Sequence, residues 1–241
     1  MADSLKTFQN YTDYLNYIQT TNNYPNVAYI RDSNEVRMNP LETAGQRTVI
    51  DVDTLFTATT DLYVGDLVTR LIVPPAYSAI GQYACYNCRR LTDLVLPNSV
   101  KTVGPSAFYN CQSLVALECT GLETIGANAF SNCYSIQVVN LPAVKTIRSS
   151  AFGFCRNLQR VTLGINTKTI ETYAFYNAGG QAQLTNMTIT CKATTPPTIA
   201  AQSFPPTQYI TQIKVPAQSV DAYKAATNWN QYADKIIAIP S

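Results

Sequence analysis

The apolar and polar positions of residues 80 to 163 do not keep one helical or strand period; they recur as a block. Ile80-Gly-Gln-Tyr-Ala-Cys85-Tyr-Asn-Cys88-Arg-Arg-Leu91-Thr-Asp-Leu94-Val-Leu96-Pro97 is followed by Val103-Gly-Pro-Ser-Ala-Phe108-Tyr-Asn-Cys111-Gln-Ser-Leu114-Val-Ala-Leu117. Ile125-Gly-Ala-Asn-Ala-Phe130-Ser-Asn-Cys133 and Ile147-Arg-Ser-Ser-Ala-Phe152-Gly-Phe-Cys155 open two further copies. Phe108, Phe130, Phe152 and Phe175 are spaced by 22, 22 and 23 residues, and Cys88, Cys111, Cys133 and Cys155 by 23, 22 and 22. Weaker copies flank these. Val68-Thr-Arg-Leu71-Ile-Val73-Pro74 precedes them; Ile170 to Phe175, with Ala178 in the Cys position, and Ile199 through Phe204 to Val215-Pro216 follow. Together they make about seven turns, the signature of a stacked repeat architecture.

Each copy predicts the same local structure. Leu91, Leu94 and Leu96 point inward from a short strand whose Val95 faces out, and Pro97, lacking an N–H, ends the ladder. The Ile-Gly-x-x-Ala-Phe segment packs on the same interior from the opposite wall. One copy cannot bury its apolar side alone, so the copies stack into a solenoid with a continuous core.

The pattern Ile-x-x-x-Ala-Phe-x-x-Cys-x-x-Leu-x-x-Val-x-Leu-Pro, covering roughly Leu67 to Pro240, resembles the BspA-type leucine-rich repeat of surface proteins from gut and oral Bacteroidetes and some parasitic protists. The resemblance implies a mainly β, α+β chain: a right-handed solenoid of 22–23-residue repeats between an amino-terminal α/β cap and a carboxy-terminal helical cap. It also implies adherence to host or matrix proteins.

The expected organisation is a leader at 1–60, the solenoid at 61–216 and a closing segment at 217–241. In the leader, Leu5, Phe8, Tyr11, Leu15 and Ile18 after Ser4 predict an amphipathic helix to about Thr20. Val27-Ala-Tyr-Ile30 and Glu35-Val-Arg-Met38 around Arg31-Asp-Ser-Asn34 predict a hairpin, and Thr48 to Phe56 another strand. In the closing segment Ser219 is expected to cap a short helix whose Val220, Tyr223 and Trp229 cover the last turn. The stretch Tyr24 to Pro40 is similar to leader segments of Bacteroides phage and prophage proteins. That similarity implies a virion component, a capsid decoration or fibre-associated adhesin, anchored through its amino-terminal segment.

Composition narrows the chemistry. The 46% hydrophobic fraction excludes wholesale disorder. No apolar run approaches the roughly 18 residues of a membrane helix, so no membrane insertion is expected. Seventeen Lys and Arg against fifteen Asp and Glu, without a long run of either sign, remove the footprint of a nucleic-acid binder. There is no His, hence no Ser-His-Asp or Cys-His nucleophile system and no His-bearing zinc site. No P-loop, GxGxxG or GxSxG occurs. Asp51 and Asp53 share one side of a strand without calcium-loop spacing, and Glu118, Glu123 and Glu171 fall in different turns. The expectation is a non-enzymatic chain with no catalytic residue, metal or cofactor. Met1 to Phe8 lacks the basic and apolar regions of a secretory signal. The location expected is therefore extracellular or cell-surface if a signal has been removed, and otherwise virion, or cytoplasm before lysis.

Cys88, Cys111, Cys133 and Cys155 stand one per turn, which predicts a ladder of buried structural thiols giving weak S–H bonds to backbone. Strand spacing alone does not exclude disulfides. Cys85, Cys119 and Cys191 read as core fillers, with Cys85 in the Phe position, Cys119 in an interior Leu position and Cys191 just past a strand. Function is sought in the outward strand positions, aligned as Ile72, Val95, Glu118, Asn140, Thr162, Thr188 and Lys214. Arg70, Asp93, Ala116, Val138, Arg160, Asn186 and Gln212 flank them. This face and its flanking loops are expected to bind a protein or glycan on a host or cell surface, or neighbouring virion proteins. Tyr83, Tyr86, Tyr109, Tyr134, Tyr173 and Tyr176 follow the repeat along one edge.

Overall fold

The structure is a computed structural model that describes residues 6–8, 27–30, 35–38, 70–73, 77–179 and 187–240. Near the amino terminus, β1 (Lys6–Phe8) runs parallel to β2 (Val27–Ile30), which pairs antiparallel with β3 (Glu35–Met38). Lys6–Phe8 is thus a strand where a helix was expected. The rest of that expected helix and the Thr48 to Phe56 strand, with Asp51 and Asp53, lie outside the described residues.

The repeats form two parallel ladders. The first contains β4 (Arg70–Ile72), β6 (Asp93–Val95), β8 (Ala116–Glu118), β10 (Val138–Leu141), β12 (Arg160–Leu163), β14 (Met187–Cys191), β16 (Ile210–Val215) and β17 (Ile236–Ala238). Strands β8 to β17 make one six-stranded sheet, and β4 and β6 make a separate pair. The second ladder stacks β5 (Ala79–Ile80), β7 (Thr102–Val103), β9 (Thr124–Ile125), β11 (Thr146–Ile147), β13 (Thr169–Ile170) and β15 (Thr198–Ile199). Apart from a bulge between β14 and β16 at Met187/Thr188, each turn sits in register on the last, so one face repeats inward and the other outward.

The interior is continuous. From the first ladder Leu71, Leu117, Val139, Val161, Ile189, Ile213 and Ile236 are buried. Facing them, Phe108, Phe130, Phe152, Phe175 and Phe204 form one column of parallel rings with centroids 5.1, 5.4, 5.2 and 5.2 Å apart. Such aromatic pairs add about 0.5–1.5 kcal/mol each beyond the area they bury. Backbone bonds tie the wall together: Phe108, Phe130 and Phe152 N–H groups donate to the carbonyls of Ala129, Ala151 and Ala174 one turn on. In the last turn Ser203 takes the Ala position, and its buried hydroxyl donates to the Ile170 carbonyl at 2.8 Å. Adjacent backbones also approach closely at the repeat glycine. A Cβ on Gly126 would lie 2.6 Å from the Gly104 carbonyl carbon, which leaves no space for any side chain.

The closing segment keeps the expected short helix after Ser219 and differs from expectation in three ways. Helix α1 spans only Val220–Ala225; Ser219 precedes it but makes no side-chain cap bond. Trp229 lies beyond the helix, in the turn before a 3-10 segment at Asn230–Tyr232. The chain then adds β17, which pairs with β16 and extends the first ladder. The covering role falls to three buried aromatic residues whose polar ends are all bonded. Trp229 Nε1 donates to the Pro197 carbonyl (2.8 Å), Tyr223 to Ala193 (2.8 Å) and Tyr232 to Pro205 (3.2 Å). Trp229 and Tyr232 both rest on the last ring of the column, Phe204.

Candidate binding surfaces

All seven cysteines are buried thiols. The Sγ of Cys111 donates to the Cys85 carbonyl (3.3 Å), that of Cys133 to Phe108 (3.2 Å) and that of Cys155 to Phe130 (3.2 Å). Ala178 fills the equivalent place one turn further and is buried. The neighbouring Cys88 thiol, then burial, holds the Cys85 thiol well above the usual range; Cys133 and Cys88 do the same for Cys111, and burial does so for Cys155. Thiols raised in this way carry little thiolate, the reactive and metal-binding form. Cys191 is not past a strand; it ends β14 in register with Leu163 and is likewise pushed up by burial. Among the described residues no group of His, Cys, Asp and Glu could hold a metal ion, and no helix is long and apolar enough to cross a membrane.

The candidate carboxylates are engaged separately. Glu123 pairs with Lys145 at 2.6 Å, while Glu171 pairs with Arg148 at 3.3 Å and accepts the Ser149 N–H and hydroxyl at 3.0 Å. Glu118 is exposed on the strand face.

The outward strand positions fall into two columns. Register places Glu118, Asn140, Thr162, Thr190 and Lys214 in one, with Ala116, Val138, Arg160, Thr188 and Gln212 beside it. Thr188 therefore belongs to the flanking column, and Thr190 takes the place assigned to it. The copy between Phe175 and Phe204 is longer than the others, so that Thr162 pairs with Thr190, 28 residues on; the reading at Thr188 falls two residues short of it, an even number that preserves the inward and outward alternation. Asn186, placed in that flanking column, lies outside the described residues. Ile72 pairs in register with Val95, and Arg70 with Asp93 across a 3.7 Å ion pair, on the separate two-stranded ladder. Val95 is 43% exposed and Val138 half-buried.

The turn wall carries a second outward surface. Two positions three residues apart recur in each turn: Tyr83 and Tyr86, Ser106 and Tyr109, Asn128 and Ser131, Ser150 and Gly153, Tyr173 and Tyr176; of these Ser131 and Gly153 are buried, and the Ser131 hydroxyl donates to the Gly153 carbonyl at 3.2 Å. The first of each pair has φ between 52 and 61°. A third column, two residues after the Phe position, is also left-handed: Asn87, Asn110, Asn132, Phe154 and Asn177, with φ from 51 to 63°. Asn tolerates this conformation, and the amide of Asn110 donates to Asn87 at 2.7 Å. The sequence reading missed this asparagine column, although an Asn two residues after the Phe position in four of five copies was there to be seen.

The sequence pattern of the BspA type Leucine rich repeat region matches residues 78–200 in six copies, just over half of the chain. No curated protein matches. Among solved structures, a leucine-rich repeat protein of T. pallidum is 20% identical over 62% of this chain and 60% of its own, with a TM-score of 0.38. One from Bacteroides ovatus is 14% identical over 98% and 74%, with a TM-score of 0.38. A leucine rich cell surface protein from Faecalibacterium prausnitzii is 15% identical over 72% and 79%, with a TM-score of 0.29. This chain spans 60% of the length of the T. pallidum protein. With six copies of its repeat stacked in register, the chain belongs to the BspA-type leucine-rich repeat family.

Proposed function

We propose that the protein is a non-enzymatic adhesion module whose outward strand face binds a protein on a host or cell surface. Leucine-rich repeat proteins commonly mediate protein binding or adhesion, and stacked repeats create extended surfaces for it. The observation that carries the reading is the pair of outward columns across β8 to β16, ten side chains held in register by a parallel ladder. Adjacent strands lie about 4.8 Å apart, so these groups keep fixed spacings without a partner to order them. They mix Arg160, Glu118 and Lys214 with threonines, Asn140 and Val138, a composition suited to a contact with a polar rim.

The test is saturable binding of labelled full-length protein to cultured epithelial cells, before and after the cells are treated with protease. Binding that protease abolishes, and that Arg160→Glu with Thr162→Arg weakens at least fivefold, is expected. Absence of saturable binding, or binding indifferent to both changes, would overturn the reading. Fixed-copy co-sedimentation with phage particles would overturn it in favour of a virion role.

A further inference from the structure

The near-neutral total charge conceals a division along the chain. From Leu67 on there are thirteen Lys and Arg against six Asp and Glu, and before it four against nine. The repeats and the closing segment are therefore basic. Part of that charge is neutralised locally, where Arg70 pairs with Asp93, Lys145 with Glu123 and Arg148 with Glu171. Arg89, Arg156 and Arg160 are exposed and form no ion pair with any described residue.

These arginines stand on one corner, where the turn wall passes into the strand face. Arg89, Gln112, Tyr134 and Arg156 each follow a ladder cysteine. They stack from turn to turn: the Ser113 N–H donates to the Arg89 carbonyl at 3.1 Å and the Ser135 N–H to the Gln112 carbonyl at 3.2 Å. Arg90 adjoins Arg89, and Arg156 lies three ladder steps away, roughly 14 Å, with Arg160 at the start of β12 beyond it. The side chains between are held by one another. Asn110 donates to Asn87 at 2.7 Å and accepts from Gln112 at 2.8 Å, the Tyr134 hydroxyl donates to Asn132 at 3.3 Å, and the Arg156 guanidinium rests over the Tyr134 ring at 5.3 Å. No acidic residue occurs in segments 86–92, 109–115, 131–137 and 153–159, which build the corner.

We infer that this corner binds a sulfated polysaccharide. A guanidinium meets a sulfate through two parallel N–H bonds, which an ammonium cannot copy. Every cation of the corner is Arg, whereas Lys101 and Lys168, beside the second ladder, are Lys. Packing on Tyr134 orders the Arg156 fork without occupying its N–H groups. Between the charged ends, Gln112, Ser113 and Ser135 supply amide and hydroxyl groups suited to sugar hydroxyls. A nucleic acid would need open ring faces on which bases stack, and the Tyr134 face is taken by Arg156. The corner meets the strand face at Arg160 but does not rest on the protein-binding proposal, and Arg160 stays unchanged in the test so that the two fail separately.

The experiment measures binding of a fluorescent heparin oligosaccharide to the full chain by anisotropy, at salt from about 0.1 to 0.3 M, with polyglutamate and oligothymidylate as control polyanions. Saturable heparin binding, tighter than that of either control, is expected. Arg89→Gln with Arg156→Gln should weaken it at least tenfold and lower the slope of log Kd against log salt by about two, roughly one for each lost contact. Lys168→Gln with Lys224→Gln removes the same charge from exposed positions elsewhere and should change affinity less than twofold. Absence of heparin binding at physiological salt, equal losses in the two double variants, or tighter binding of polyglutamate or oligothymidylate would each overturn the inference.

Discussion

The two walls of the solenoid bury the same core but tolerate different degrees of sequence change. On the strand wall the inward position passes through Leu117, Val139, Val161, Ile189 and Ile213, which stay paired one to the next even though a bulge interrupts the β14–β16 register at Met187/Thr188. On the turn wall the equivalent column is Phe in five successive turns, with rings parallel to within 11°. Aliphatic side chains fill a ladder by volume, so one can replace another. A ring stack needs a flat neighbour on each side, so it carries the identity of the repeat. The largest test of that difference is Phe130→Ala against Val139→Ala. Removing Phe130 from between Phe108 and Phe152 should cost about 3–5 kcal/mol. Val139→Ala should cost about 2 kcal/mol, the loss of two methyl groups and a small cavity. Urea unfolding of both variants checks it, and equal losses would erase the distinction between the walls.

The cap sharpens the comparison by asking how far damage spreads. Trp229 covers Phe204 and donates to Pro197, both in the last turn, and meets Tyr223 of α1 edge-on. In a stacked repeat each turn contacts its neighbours alone, so Trp229→Ala should open the end and spare the centre. Hydrogen exchange should show lost protection at Ile210–Val215 and Ile236–Ala238, with protection retained at Val138–Leu141. Uniform loss would instead make the solenoid one cooperative unit.

A smaller effect is expected at the thiols. Cys133→Ala removes one weak bond to the Phe108 carbonyl from a niche that Ala178 shows can hold a methyl group. A loss of about 1 kcal/mol is expected. In the native protein a thiol reagent should find none of the seven sulfurs, and all seven after unfolding.

What could be read from the sequence follows the same division. The Phe and Cys columns were visible because Phe and Cys each recur at one interval over four copies, the stack requiring a flat ring and the niche a small apolar group. The strand register was legible only while that interval held, and it slipped at Thr188 where the longer copy intervened. The short α1 was legible after Ser219, whereas β17 was not, since Ile236 to Ala238 carries no repeat signature.

The smallest effect lies outside both walls, at the Glu123–Lys145 pair that bridges successive turns. The hydrogen bond from Lys145, then its charge, lowers the Glu123 carboxyl below the usual glutamate range. A carboxylate depressed by folding binds fewer protons in the native state, so its contribution is full above the unfolded glutamate pKa. It disappears as pH falls through the lower native value. The pair is exposed and open to screening, so the contribution is slight and shrinks with salt. Carbon-detected NMR should find Glu123 titrating below an ordinary glutamate, and Lys145→Met should return it upward without moving the ring stack. If Glu123 titrates normally in wild type, this inter-turn bridge contributes nothing. The grip between turns would then rest on the buried rings and backbone ladders alone.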